Sequence, residues 1–203
     1  MKMSKLTGRF TVAVAASFLV SLNGFSAGAS EAATKAGASE LAAQHDGQHD
    51  FDFLIGSWKI HLKRLVHPLS GSSEWVELDG TTVCRTVLDG RAEVEEFNVD
   101  NAEKHMHIQG LALRFYNPAS RQWSIWWANA KDGAMYPPPV VGEFRDGRGE
   151  FYDQEMYNGR FVLTRFVWTG MTTDSPHFEQ SMSTDGGKTW ELWWVTDQTK
   201  VKP

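Results

Sequence analysis

One cysteine in 203 residues, Cys84, leaves the chain without an internal disulfide, so stability has to come from a buried core. With no His beside it in sequence, Cys84 reads as a small packing residue rather than a nucleophile. Basic residues are outnumbered, 20 Lys and Arg against 25 Asp and Glu, a net charge of -5. That balance excludes the electrostatic footprint of a nucleic-acid binder. No Gly-rich loop follows a strand and opens a helix, which removes the sequence basis for nucleotide binding. The apolar run Phe10 to Leu22 has 13 residues, short of the roughly 20 that a membrane-spanning helix needs.

That short run has another use. Lys2, Lys5 and Arg9 precede it and Ala27-Gly28-Ala29 follows, the three-part pattern of a secretory signal peptide over residues 1–29. Its cleavage leaves no integral span and implies a secreted or periplasmic protein. The remainder carries 17 basic against 25 acidic residues, net -8, which favours solubility. Residues 30–50, rich in Ala, Ser and Gly, read as a tether with a short helical segment near Ser39 to Gln44. His45 and His49 have the spacing of two ligands on one helical face, but Gly47 between them breaks the helix, and no metal site is expected.

From Gly56 the hydrophobic period becomes two, with Trp58, Ile60 and Leu62 alternating with Lys59, His61 and Lys63. Strand-like runs continue at Trp75 to Leu78, Thr81 to Leu88, Ala92 to Val99, His107 to Tyr116, Gln122 to Ala130, Val140 to Arg145, Gly149 to Met156, Arg160 to Thr169, His177 to Met182 and Thr189 to Thr196. The pairs Asp79-Gly80, Asp89-Gly90, Asn117-Pro118, Asp132-Gly133, Asp146-Gly147 and Asn158-Gly159 and the triplet Asp185-Gly186-Gly187 read as hairpin turns. About ten short antiparallel strands without helical crossovers leave a barrel or a two-sheet sandwich. Sequential hairpins favour a single all-β, up-and-down barrel over residues 51–199, and closure removes exposed edges.

The segment Phe51-Asp52-Phe53-Leu54-Ile55-Gly56-Ser57-Trp58 resembles the Gly-x-Trp opening of the calycin superfamily, in which the Trp plugs the barrel base. With Phe115-Tyr116-Asn117-Pro118, Trp123, Trp126-Trp127 and Asp185-Gly186-Gly187-Lys188-Thr189-Trp190-Glu191 in order, the chain resembles the bacterial secreted family labelled domain of unknown function 1579. The resemblance implies a lipocalin-like barrel with Gly56 and Trp58 as structural residues, and no activity. Haem-binding nitrobindins share the barrel type, but their axial His near the carboxyl end has no counterpart after Thr189, so no cofactor is expected. Ser183 to Trp190 is similar to the Asp-box turn of sialidases, which implies structural roles for Asp185, Gly187 and Trp190.

Charged residues forced inward by strand alternation are the informative ones. Glu95 and Glu96 are adjacent, so one of them faces the barrel interior, and the reading leans to Glu96. Arg165 or Arg85 would supply the counter-charge, a polar anchor at the end of an apolar cavity. The alternative is that these are surface side chains or a structural ion pair. Nine Trp place aromatics on both faces of two strands: Trp123, Ile125 and Trp127 against Trp126, and Trp190, Leu192 and Trp194 against Trp193. A homodimer or the tether would cover an outer aromatic face, and a sugar would be another occupant. His105 and His107 share one side of an extended segment, but further ligands do not follow.

The expectation is a binder of a small apolar or amphipathic ligand, with walls from Phe115, Trp127, Phe166 and Phe178 and an anchor from Glu96 and Arg165. The rivals are a carbohydrate-binding module and an enzyme using His177 and Glu179 as an acid-base pair in the barrel mouth.

Overall fold

The computed structural model describes residues 46–202. The segments read as a signal peptide and as a short helix near Ser39 to Gln44, with His45 and the rest of the expected tether before residue 46, lie outside the described residues. Two single-turn 3-10 helices, Gly47–His49 and Asp52–Leu54, precede ten strands: β1 (Gly56–Leu65), β2 (Trp75–Val87), β3 (Ala92–Asn101), β4 (Met106–Asn117), β5 (Gln122–Asn129), β6 (Ala134–Arg145), β7 (Arg148–Tyr157), β8 (Arg160–Thr169), β9 (His177–Ser183) and β10 (Glu191–Lys200). Every strand is antiparallel to its sequence neighbours, and β10 returns to pair with β1, so the sheet is a closed up-and-down barrel.

Strand direction separates two ends. The turns after β2, β4, β6 and β8 lie at the end where β1 begins, and the 3-10 helices plug it. Residues 46–50, assigned to the tether by composition, belong to this plug. Asp46 caps the first turn by accepting from the Gln48 amide at 3.2 Å, the Gly47 amide donates to the Tyr116 hydroxyl at 3.1 Å, and Trp123 Nε1 donates to the Gly47 carbonyl at 2.8 Å. Gly56, at φ 119°, swings the chain from the plug into β1, a conformation glycine adopts without strain. Trp58, two residues on, is buried and donates from Nε1 to the Leu54 carbonyl at 2.7 Å.

Local turn chemistry fails at Asp79-Gly80. The runs Trp75 to Leu78 and Thr81 to Leu88 are one strand, β2, because Gly80 is paired on both sides, with Ile60 of β1 and Val99 of β3. A Cβ at Gly80 would lie 2.0 Å from the Asn98 carbonyl oxygen, so the glycine serves close strand approach rather than a turn. β6 begins at Ala134 rather than Val140. Its three prolines, Pro137 to Pro139, oppose Trp126 alone between the pairs Ile125 with Val140 and Trp127 with Tyr136. Proline cannot donate to the ladder, and pairing resumes beyond the interruption.

Two apolar clusters fill much of the interior. Phe51, Leu54, Tyr116, Trp123, Phe151 and Trp168 close the plugged end, while Trp58, Ile60, Leu62, Val76, Leu78, Phe97 and Val99 fill the side formed by β1 to β3. Ten strands enclose more space than side chains fill. The unfilled space lies toward the other strands.

Candidate functional site

A cavity of about 580 Å³ occupies that space, and Asn129, Tyr136 and Tyr157 mark its mouth at the end opposite the plug. Phe97, Trp127, Phe166, Trp168, Phe178 and Trp194 supply aromatic wall. Gly110 makes room for one of them, since a Cβ there would lie 2.3 Å from Trp127 Cζ2. Of the side chains expected as wall, Trp127, Phe166 and Phe178 line the cavity. Phe115 does not: it shares the outer face of β4 and is 38% exposed.

A one-residue shift of face moves the expected anchor. On β3 Glu93, Glu95, Phe97 and Val99 alternate as buried side chains, with Ala92 buried at the strand's start, so Glu95 faces inward and Glu96 is exposed on the outside. Arg165 and Arg85 face outward as well; the Arg165 guanidinium stands 4.4 Å from the centroid of Trp190, and Arg85 is exposed. The internal cation is Arg114 on β4, which alternation within His107 to Tyr116 places beside Ala112 and Tyr116 on the inner face. Sequence reasoning missed it, together with Glu93, Arg64, Asp153 and Glu155.

Arg114 and Glu95 form the cavity floor. Arg114 Nη2 donates to Glu95 Oε2, Nη1 stands 3.6 Å from Glu93 Oε2, and the guanidinium lies 4.9 Å from the Phe51 ring centroid. The Thr82 hydroxyl donates to Glu95 Oε1 at 2.7 Å and Cys84 Sγ to Glu93 Oε2 at 3.6 Å. Burial pushes the Glu93 carboxyl up to about 7 against the pull of Arg114, and pushes the Cys84 thiol far above its ordinary value. Cys84 is an unreactive thiol packed into an ionic floor.

Higher on the wall, β7 turns Asp153, Glu155 and Tyr157 inward. The Thr164 hydroxyl donates to Glu155 Oε1 at 2.7 Å, while Asp153 Oδ1 is buried with no partner among the described residues. Burial first, and the Glu155 charge second, push the Asp153 carboxyl up to about 7. Across the barrel, the Arg64 guanidinium lies 5.9 Å from the ring centroids of both Trp193 and Trp194, and burial lowers its pKa. Both tryptophans line the cavity because Trp193 is the extra residue of a bulge: Leu192 pairs with Ser181 and Trp194 with the next residue, Gln180. Strict alternation, which set Trp194 against Trp193, breaks there.

The remaining candidates lie elsewhere. His177 sits on the outer face near the plugged end, with Nδ1 2.6 Å from Asp197 Oδ1 and Nε2 3.2 Å from Glu179 Oε1. Burial would lower its pKa, but the two carboxylates outweigh burial and raise it. This pair is not in the mouth and does not line the cavity. His107 Nε2 contacts Asn98 Oδ1 at 2.6 Å, and among the described residues no group of three His, Cys, Asp or Glu is arranged to hold a metal ion. In the turn after β9, Asp185 accepts from the Lys188 and Thr189 amides at 3.0 and 2.9 Å, Trp190 Nε1 donates to the Gly187 carbonyl at 3.0 Å, and hydrogen bonding lowers the Asp185 carboxyl to about 2.

These shifts set a pH profile. Glu93 and Asp153 titrate higher in the folded protein than in the unfolded chain, so between about pH 4 and pH 7 the native state binds more protons and loses stability as pH rises. His177, also raised, contributes with the same sign. Urea denaturation is expected to show higher stability near pH 5 than near pH 8. Asp153→Asn should reduce that slope and stabilise the protein near pH 8 by on the order of 1 kcal/mol, a figure discounted for partial solvent screening. A destabilised Asp153→Asn protein would contradict this account.

Fold and cavity together define a closed ten-stranded, antiparallel up-and-down barrel with an internal cavity. No protein-family model matches the chain, and no curated protein matches it in sequence. Among solved structures, it is similar to the S-type phycobiliprotein lyase of Guillardia theta, with a TM-score of 0.55 and 13% identity over 81% of this chain and 97% of that one. It is also similar to Rv2717c of M. tuberculosis, with a TM-score of 0.52 and 11% identity over 78% of this chain and 99% of that one. At these identities the likeness is one of fold.

Proposed function

We propose that the barrel is an exported binder that holds one small amphipathic molecule in its cavity. The observation that carries this reading is the cavity itself, about 580 Å³, aromatic on several walls and polar at its floor and on β7. Its size and mixture of apolar surface with a few placed polar groups match those of small-molecule sites. Carboxylates and guanidinium groups inside it narrow the expected ligand from largely apolar to amphipathic. That the Guillardia theta neighbour is a phycobiliprotein lyase adds support from fold alone.

Native mass spectrometry of freshly purified protein should reveal a non-covalent small molecule, and an environment-sensitive naphthalene dye should displace it. Trp127→Ala is expected to weaken the dye about tenfold, roughly 1.4 kcal/mol. Failure to bind any dye, with no ligand carried through purification, would overturn the reading.

The start of the chain, residues 1–29, supports export, and the motif order from Phe53-Leu54 through Trp126-Trp127 to Trp190 supports membership of the family labelled domain of unknown function 1579. Mass spectrometry of the exported protein is expected to find its first residue at Ser30 or close to it. Intact chain in the membrane fraction would contradict export.

A further inference from the structure

The interior holds two inward carboxylate pairs at the same i, i+2 spacing, and it treats them differently. Glu93 and Glu95 on β3 share Arg114. Asp153 and Glu155 on β7 share the neutral Thr164 side chain, Asp153 also accepts from the Thr164 backbone, and among the described residues neither forms an ion pair. The two cations of the cavity are placed elsewhere. Arg114 is committed to the floor, and Arg64, on β1, lies against the tryptophans of β10 with its charge felt on β7 at Tyr157, nearer the mouth than Asp153. Neither arginine is among the groups that act on the Asp153 carboxyl, which burial and Glu155 together push up.

An unpaired carboxylate pair inside a barrel is costly unless something neutralises it, and removal of water makes an incoming cation bind it more strongly than at a surface. A separate group points the same way. Gln198, 3% exposed and lining the same cavity from β10, leaves Oε1 without a donor among the described residues. Asp153 Oδ1 likewise has none. Among the described residues the cavity also holds unpartnered donors, Arg64 Nε, Arg114 Nε, Trp168 Nε1 and Trp193 Nε1, but they stand on β1, β4, β8 and β10; the open position on β7, beside Glu155, is an acceptor, which suits a ligand that brings an N–H group there. Tyr157 and Phe166 line the cavity from β7 and from β8, the strand beside it, as π surface of the kind that stabilises organic cations.

We infer that the ligand is an organic cation, an apolar or aromatic body bearing a protonated nitrogen, with that nitrogen seated between Asp153 and Glu155. This rests on the cavity being a binding site, and it specifies the charge and the wall.

Three probes of matched shape test it by isothermal titration calorimetry near neutral pH: 2-naphthylmethylammonium, 2-naphthylmethanol and 2-naphthoate. The ammonium is expected to bind at least about tenfold more tightly than the alcohol, and the carboxylate most weakly. Asp153→Asn combined with Glu155→Gln should reduce the preference for the ammonium over the alcohol to within about twofold. Equal binding of ammonium and alcohol, or tightest binding of the carboxylate, overturns the cationic ligand while cavity binding stands. No binding by any of the three removes both. The wild-type comparison decides without the variants, and a thermal melt of each variant establishes that it is folded.

Discussion

Arg114→Met is expected to lower the unfolding free energy by about 3–5 kcal/mol, one of the two largest losses expected from a single substitution in this barrel. Arg114 is 3% exposed and lies against two carboxylates that are themselves 1% and 4% exposed, Glu93 and Glu95. Methionine fills similar length but leaves both carboxyls in a poorly solvated space beneath the cavity without a cation. They respond by holding protons to higher pH, so the loss should be larger near pH 8 than near pH 5. Adding Glu95→Leu to Arg114→Met removes one orphaned charge and should recover a large part of the loss, as happens when buried ion pairs are replaced as a unit. Urea denaturation followed by Trp fluorescence at both pH values measures all four proteins of the cycle. A loss under about 1 kcal/mol, or no recovery in the double variant, would show that the ionic floor does not hold this end of the barrel.

Most of the architecture is legible because a two-residue period and turn dipeptides act locally and agree. Asp89-Gly90 and Asn158-Gly159 close hairpins, with positive φ at all four residues. Asp79-Gly80 carries the same local signal but is overridden by pairing from both sides, a contact between segments that the dipeptide does not encode. The prolines of β6 obscure a strand for the opposite reason: they interrupt the ladder opposite Trp126, yet Tyr136 regains the pairing with Trp127.

The site was legible in kind and displaced in position. An Arg and a Glu inside the barrel follow from alternation, but choosing between Glu95 and Glu96 depends on which face continues apolar. Glu95 shares its side with Phe97 and Val99, both buried, and that signal was present in the sequence. Arg114 was available by the same reasoning through Ala112 and Tyr116. Asp153 and Glu155 were harder to place, because β7 puts Phe151 and Tyr157 on one face and Tyr152 and Met156 on the other with polar residues between them, so neither face reads as consistently apolar. Trp193 was hidden differently: a bulge inserts it between two correctly alternating halves of β10, and sequence alternation has no term for an inserted residue.

Phe51→Ala should cost about 3–5 kcal/mol as well, through lost packing rather than charge. Phe51 is fully buried at the start of the second plug turn, edge-on to Trp123 at 5.2 Å, Phe144 at 4.8 Å and Trp168 at 6.2 Å, and stacked on Phe151 at 5.4 Å between ring centroids. Four aromatic neighbours on different strands cannot collapse together into the vacated volume, so most of the void persists and its cost with it. The same ring covers the Arg114 guanidinium, so the void also brings water toward the ionic floor. Better solvation should move the Glu93 carboxyl down from about 7 and flatten the decline in stability with rising pH. Phe53→Ala, at a partly buried neighbour packed on Phe144 and Trp168, is expected to cost less and to leave the pH profile unchanged. Chemical denaturation of both variants across the pH range reads the two effects separately. Equal losses for Phe51→Ala and Phe53→Ala, or a pH profile untouched by the first, would mean that the plug merely caps the barrel and does not shield the charges beneath the cavity.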